Sequence, residues 1–332
     1  MIRKEAKLVD NLFAKDIAQK PTRDGYGEGV ILAAERDKNV VVMCADLTDS
    51  TRNMAFKEKF PENFIQVGIQ EQFLASAAAG LALAGKIPFI TSYAMFCPGR
   101  SWEQVRTNIA LNEANVKIVG SHAGVSVGPD GATHQAVEDI AITRVIPGMT
   151  VISPCDAIEG RKAILAVAAM DGPCYIRFAR EKSPVFTTEA TPFEIGKATM
   201  LREGADVAII ACGPLLYKAL QAAEELSKEG IEAMVVNMHT IKPLDGASIE
   251  HAALECGAIV TVEEHQVAGG LGGAVAEHLA KTRPTPIEFI GVQDRFGESG
   301  EPSELIEHFG MGVSHIKAAA KKAIKRKGKT RK

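Results

Sequence analysis

Several short stretches of this sequence carry more chemistry than their local structure needs. SHAGVSVGPDGATHQ places His122, Asp130 and His134 in one loop. Two imidazoles and a carboxylate so grouped suit a hydroxylated or phosphorylated small molecule, and they lack metal-ligand spacing such as HxxxH. A histidine entering a helix is as readily a cap or a surface residue. VGIQEQFLASAAAGLALAGK sets Glu71 at the head of a helix made almost wholly of Ala, Ser, Gly and Leu. An acid in the first turn offsets the helix macrodipole by about 0.3 to 1 kcal/mol, which accounts for its position. It does not account for the small residues behind it, which let another helix or a neighbouring subunit approach closely. SYAMFCPGRSW contributes Tyr93 and Phe96, DLTDST contributes Asp46 and Ser50, and ARE contributes Arg180.

The elements that must position these residues follow an α/β pattern. The runs NVVVMCA, KIPFITS, NVKIVGSH, MTVIS and CYIRFA read as strands buried on both faces. Helices are expected between them at 23–36, 51–60, 71–84, 101–112, 135–143 and 156–170, the last starting on Asp156 as N-cap. The stretch REKSPVFTTEATPFEIGK breaks the pattern, which resumes with DVAIIACG, IEAMVVNMH, GAIVTVEEH and IEFIGV. A second, smaller α/β unit is expected there, with helices at 214–229, 247–256, 271–282 and 302–309. In open parallel sheets ligands collect at the carboxyl ends of strands. Those of the first unit carry the Asp, His, Ser, Arg and aromatic residues, whereas those of the second are poorer. VAGGLGGAVAEH suggests a dinucleotide cradle, but no GxGxxG fits Gly269, Gly270, Gly272 and Gly273, and tight helix packing is the better reading.

Composition narrows the class. A chain of 332 residues with 46% hydrophobic and 24% charged residues is globular and long enough for two cores. The longest mostly apolar segment, 73–85, is too short to span a bilayer, so no membrane association is expected. The first twenty residues lack an apolar h-region and are not read as a secretory signal. Six cysteines without CxxC or paired spacing read as reduced, mostly buried thiols, and the chain is expected in the cytoplasm. Residues 317–332 hold nine Lys or Arg and no acid, leaving 29 basic against 41 acidic residues elsewhere. With no aromatics or binding fold beside it, this tail reads as a solvated terminus and not as a nucleic-acid contact.

Taken together and in order, DLTDST, GIQEQFLASAAAGLALAG, SYAMFCPGRSWEQVR, SHAGVSVGPDGATHQAVEDIAI and YIRFARE resemble the pyrimidine-binding half of transketolase, a thiamine diphosphate enzyme. The resemblance runs from about residue 22 to about residue 316. It implies an α/β fold with a parallel-sheet pyrimidine-binding domain at 21–186, a linker at 187–204 and a transketolase C-terminal domain at 205–320, flanked by an N-terminal segment at 1–20 and a basic tail at 321–332. It implies that Glu71 hydrogen-bonds the aminopyrimidine and favours the tautomer that deprotonates the thiazolium carbon, a task helped by an apolar pocket that penalises a carboxylate's charge. Phe96 would stack on the pyrimidine, with Tyr93 lining the pocket and Asp46 near the cofactor. Arg23, Ser50, His122 and Arg180 would hold the sugar phosphate, and Asp130 and His134 would contact sugar hydroxyls, His134 also taking part in catalysis.

One departure from that family is large. Transketolase grips the diphosphate and its divalent cation, Mg2+ or another, through a GDG motif followed about thirty residues later by Asn, and nothing here matches it. The resemblance therefore implies a two-chain transketolase. A partner N-terminal subunit would bind the diphosphate and metal, this chain supplying no metal ligand, and the family's two-fold symmetry suggests α2β2. The β subunit of a 2-oxo acid dehydrogenase decarboxylase has the same length and domain order but is expected to carry a different histidine loop. Deoxyxylulose-phosphate synthase shares DGATHQ but keeps both halves on one chain. A noncatalytic assembly subunit would have no reason to keep Glu71, Phe96, His122, Asp130 and His134 together.

Overall fold

A computed structural model describes residues 1–330. In chain order the elements are β1 (Gln19–Pro21), α1 (Thr22–Arg36), β2 (Val40–Cys44), α2 (Met54–Lys59), β3 (Phe64–Gln66), α3 (Glu71–Leu83), β4 (Ile87–Tyr93), α4 (Trp102–Gln104), β5 (Lys117–Ser121), α5 (Asp139–Arg144), β6 (Thr150–Ile152), α6 (Ala157–Ala168), β7 (Cys174–Arg177) and β8 (Lys182–Pro184). There follow β9 (Thr199–Arg202), β10 (Val207–Ala211), α7 (Leu215–Ser227), β11 (Ala233–Asn237), β12 (Thr240–Lys242), α8 (Gly246–Cys256), β13 (Ile259–Gln266), α9 (Leu271–Lys281), β14 (Ile287–Val292), α10 (Pro302–His308) and α11 (Val313–Thr330). The continuous Val/Ile runs are the central strands of two sheets, as burial on both faces requires. A seven-stranded sheet has the order β12-β6-β7-β5-β4-β2-β3, and a five-stranded sheet has the order β14-β13-β10-β11-β9.

Both sheets are parallel except at one edge, where β12 runs against β6 and β9 runs against β11. The β12 strand belongs by sequence to the second unit yet extends the first sheet. One apolar core accordingly runs through both units, with Ile90, Ile118 and Val151 in the same cluster as Ile210, Met238 and Leu271. On the far face of the first sheet α1 lies against α6 so closely that a Cβ on Gly25 would stand 2.1 Å from the Ala157 carbonyl oxygen. Only glycine fits there. The Asp156 carboxylate caps α6 by accepting from the Glu159 N–H at 2.9 Å, as the sequence suggested.

Several expectations need correction. The expected linker holds β9, a strand of the second sheet, and the N-terminal segment buries Ala6, Leu12 and Ile17 in the second unit's core. The expected basic tail is the continuation of α11, which buries Ile316, Ala320 and Ala323. Its Lys317 pairs with Glu225 and Glu229, and Lys322 and Arg326 pair with Glu288. Such exposed pairs are weakened by solvent, so the apolar stripe is what holds the helix. Residues 331–332 of that expected tail lie outside the described residues.

The helix expected over 51–60 starts only at Met54, because Arg52 takes a left-handed φ of 64°. The one expected over 135–143 starts at Asp139, since Ala136 bridges Ala123 and the Gln135 side chain donates to the Val125, Gly128 and Glu298 carbonyls. The one expected over 101–112 is a single turn followed by π-helical turns at Val105–Ala110. All six cysteines are buried and unpaired. No helix among the described residues is long and apolar enough to cross a membrane.

Candidate functional site

Register in the seven-stranded sheet assembles the site. Tyr93 at the end of β4 pairs with Ser121 at the end of β5, which sets His122 beside the tyrosine ring at 3.8 Å between centroids. His122 bends back with a left-handed φ of 56°, uncommon for a residue other than glycine. Its Nε2 lies 3.2 Å from Arg23 Nη1 and its Nδ1 2.9 Å from Ser121 Oγ. A guanidinium can only donate, so Nε2 accepts and the proton of the neutral ring sits on Nδ1. Burial first, then Arg23 and Arg180, push the His122 imidazole down to about 3. Arg23 is itself lowered by burial and by Arg52, and it also donates to the Ser50 carbonyl at 2.7 Å.

On the other side of Tyr93 lies Phe96, near-parallel to it at 6.2 Å, and His134 meets Phe96 edge-on at 5.3 Å. Gly99 makes the turn after Phe96 possible, since a Cβ there would stand 1.9 Å from the Met95 carbonyl oxygen. The chain that leaves this turn brings the Arg100 guanidinium over the Phe96 ring, 5.3 Å from its centroid, and sets Nη1 3.1 Å from Glu71 Oε2. Glu71 opens α3 and is 2% exposed; its other oxygen accepts only a long 3.4 Å bond from Ser92 Oγ. Phe96 and Arg100 line a cavity of about 440 Å3 whose opposite wall includes Glu138 and Asp139. Behind Glu71, α3 buries Leu74, Ala75, Ala78 and Ala79 while exposing Phe73, Gly80 and Leu83. The small residues thus serve the core on one side and leave an apolar face on the other.

The loop from Gly124 to Gly131 closes the site. Arg180 Nη1 donates to the Val127 carbonyl at 2.7 Å and lies 3.9 Å from the Asp130 carboxylate. The second unit buttresses this loop from behind. Glu264, buried at the end of β13, accepts from the Ser126 N–H at 2.6 Å, and Pro302 packs on Gly128. Arg23, Ser50, His122, Tyr93, Phe96 and His134 therefore form one contact chain, which Arg100 extends from Phe96 to Glu71, with Arg180 and Asp130 on its flank. Asp46 stands apart from it: it is exposed after β2, and its N–H donates to Gln66 Oε1 at 2.8 Å.

Arg100 and Glu264 were not singled out from sequence, although SYAMFCPGRSW and EEHQVAGG contain them. No spacing rule joins Arg100 to a carboxylate 29 residues earlier. The glycine run after β13 is no anion cradle, because Glu263 accepts from the Leu271 and Gly272 N–H groups at 2.7 and 2.8 Å and fills the α9 N-terminus from within. Among the described residues no group of three or more His, Cys, Asp or Glu is placed to hold a metal ion.

Residues 18–185 match the transketolase pyrimidine binding domain, and residues 196–316 match the transketolase C-terminal domain. A putative transketolase C-terminal section from Methanocaldococcus jannaschii is 44% identical over 300 residues, covering 90% of this chain and 94% of that protein. A 6-deoxy-6-sulfo-D-fructose transketolase subunit, SqwH, from Clostridium sp. (strain MSTE9) is 42% identical, covering 92% and 95%. Among solved structures, a split gene transketolase described as an inactive beta4 tetramer superposes with a TM-score of 0.87 at 43% identity, covering 92% of this chain and 98% of that one. With both family domains matched in order, this chain belongs to the thiamine diphosphate-dependent transketolase family, alongside the C-terminal subunits of split transketolases.

Proposed function

We propose that this chain is the pyrimidine-side subunit of a two-chain transketolase that moves a two-carbon ketol unit from a ketose to an aldose, each bearing an anionic terminal group. The observation that carries the reading is the buried Glu71 carboxylate at one end of an aromatic shelf, Phe96 and Tyr93, whose other end is the basic cluster of Arg23, His122 and Arg180. These residues fit the pyrimidine end of thiamine diphosphate: an apolar ring face, a buried carboxylate and an adjoining cavity of about 440 Å3. When bound, that cofactor supplies the carbon nucleophile.

The chain's own residues orient and exchange protons around it. Glu71 holds the proton shared with a pyrimidine ring nitrogen, and Phe96 and Tyr93 fix the ring plane. His134, edge-on to both aromatics, is placed to move a proton at a sugar hydroxyl, and Asp130 accepts from another. Arg23, Arg180 and His122 take the anionic terminus, with the Ser50 loop beside them and Asp46 toward the cofactor. To bond a phosphate or sulfonate oxygen through Nε2, His122 must move its proton from Nδ1, which Ser121 Oγ permits by turning from acceptor to donor.

The diphosphate and a divalent cation, Mg2+ or another, are assigned to a partner subunit, with α2β2 as the assembly in the cytoplasm. Support comes from the exposed apolar α3 face beside Glu71 and from the relative described as inactive as a β tetramer. The test mixes this chain with a diphosphate-binding partner, thiamine diphosphate and Mg2+, and follows transfer of a labelled two-carbon unit among phosphorylated and sulfonated sugars. Transfer is expected only with both chains present. Full turnover by this chain alone overturns the reading.

A further inference from the structure

Arg100 touches both groups that an aminopyrimidine would need. Its guanidinium lies over the Phe96 ring at 5.3 Å from the centroid, and the same group donates to Glu71 Oε2 at 3.1 Å. A ring stacked on Phe96 and bonded to that oxygen must take the volume between the two, which is the volume of the guanidinium. The guanidinium also occupies the Glu71 oxygen that the proposed bond to the ring requires.

Arg100 has room to leave. Its side chain is 51% exposed and it lines the cavity of about 440 Å3 faced by Glu138 and Asp139. There Asp139 Oδ2 is taken by Tyr175 and Arg177, but Oδ1 has no hydrogen-bond partner. A half-exposed guanidinium turning away from Glu71 can move toward solvent along a cavity whose lining is mostly apolar but includes the carboxyl groups of Glu138 and Asp139. The Gly99 turn fixes the backbone on which it swings.

We propose that Arg100 is a competitor built into the pyrimidine site: it occupies the Glu71 oxygen and the Phe96 face, and thiamine diphosphate must displace it to bind. The proposal rests on the assignment of Glu71 and Phe96 to the pyrimidine. Its consequence is a cofactor affinity lower than the aromatic shelf and carboxylate alone would give.

The experiment measures binding of thiamine diphosphate, and separately of inorganic pyrophosphate, by calorimetry on the complex with the partner subunit and Mg2+. Arg100→Ala is expected to tighten thiamine diphosphate binding about three- to tenfold, with faster association, tenfold being about 1.4 kcal/mol. Arg100→Lys, which keeps the charge but loses the planar fork, falls between Ala and wild type. Pyrophosphate, which has no ring, binds all three equally. Unchanged or weaker thiamine diphosphate binding by Arg100→Ala overturns the proposal. Phe96→Ala separates the two levels of inference. If it weakens thiamine diphosphate but not pyrophosphate while Arg100→Ala changes neither, only the competition fails. If Phe96→Ala also changes neither, the pyrimidine assignment falls and the competition with it.

Discussion

Two buried glutamates stand near helix N-termini at the two sheets, and they are used in opposite ways. Glu263 is 1% exposed and spends both oxygens on the N–H groups of Leu271 and Gly272. Glu71 is 2% exposed, but its partners are a long bond from Ser92 and the side chain of a half-exposed arginine. Backbone partners cannot leave while the helix stands, whereas an arginine can. Two histidines repeat the contrast. His265 is locked between the Gln266 carbonyl and the Ala141 N–H, while His122 is held by the side chains of Ser121 and Arg23. On the function proposed above, what separates a structural from a functional buried group in this fold is whether its partners can be exchanged.

The strongest way to break this comparison is to make the same substitution at both acids. Glu71→Gln removes the proton-sharing group, so exchange of the thiazolium proton, followed by NMR in the reconstituted complex, should slow by about 10²- to 10⁴-fold. Thermal stability and assembly should hardly move. Glu263→Gln leaves one α9 N–H facing an amide NH2, and the unpaired buried donor should cost about 1 to 3 kcal/mol in denaturant unfolding. Proton exchange in its folded fraction should match wild type. Equal effects of the two substitutions on exchange would remove the distinction.

Much of this layout was legible in the sequence because it is written in short-range pattern. Strands buried on both faces leave Val/Ile runs, and residues beyond strand ends are where a parallel sheet gathers a site, so Tyr93, Phe96, His122 and Arg180 could be marked before any geometry. What was hidden depends on distant partners. The crossing of β12 onto the first sheet, the Glu264 brace on Ser126 and the Arg100 contact with Glu71 join residues 29 to 138 positions apart, which no local period encodes. In α11 the signal was present but masked: Ile316, Ala320 and Ala323 keep an i, i+4, i+7 stripe, and the surrounding lysines draw attention to charge instead. Gln135 to Glu138 failed for the reverse reason, since a helix-compatible sequence is held out of the helix by the Ala136 bridge and the tertiary hydrogen bonds of Gln135.

The histidine pair gives a smaller effect. If His122 and Arg180 hold the anionic terminus as proposed, His122→Ala or Arg180→Ala should raise KM for a phosphorylated aldose about 10- to 100-fold while leaving the unphosphorylated sugar unaffected. His265→Ala should instead lower stability by about 1 to 3 kcal/mol and leave KM in place. If His265→Ala shifts KM selectively for phosphorylated sugars, a backbone-locked group is taking part in binding and the rule of exchangeable partners is wrong.

A last expected effect is a pair of opposed pH slopes. Burial raises the Glu263 carboxyl to about 7, against 4.5 for the ordinary group, so the folded chain keeps a proton that the unfolded chain has released. Its contribution to stability is then full below 4.5 and declines as pH rises toward 7. His122 is pushed down to about 3 from 6.5, so the unfolded chain takes up a proton that the folded chain refuses, and its contribution is full above 6.5 and declines as pH falls toward 3. Urea midpoints between pH 4.5 and 7.5 should show the gap between wild type and Glu263→Gln narrowing as pH rises. The loss of wild-type stability on acidification should be shallower in His122→Ala. Parallel curves for either variant would mean that its buried group keeps one protonation state in folded and unfolded chains alike, and that burial at that site does not oppose charge as the packing around it requires.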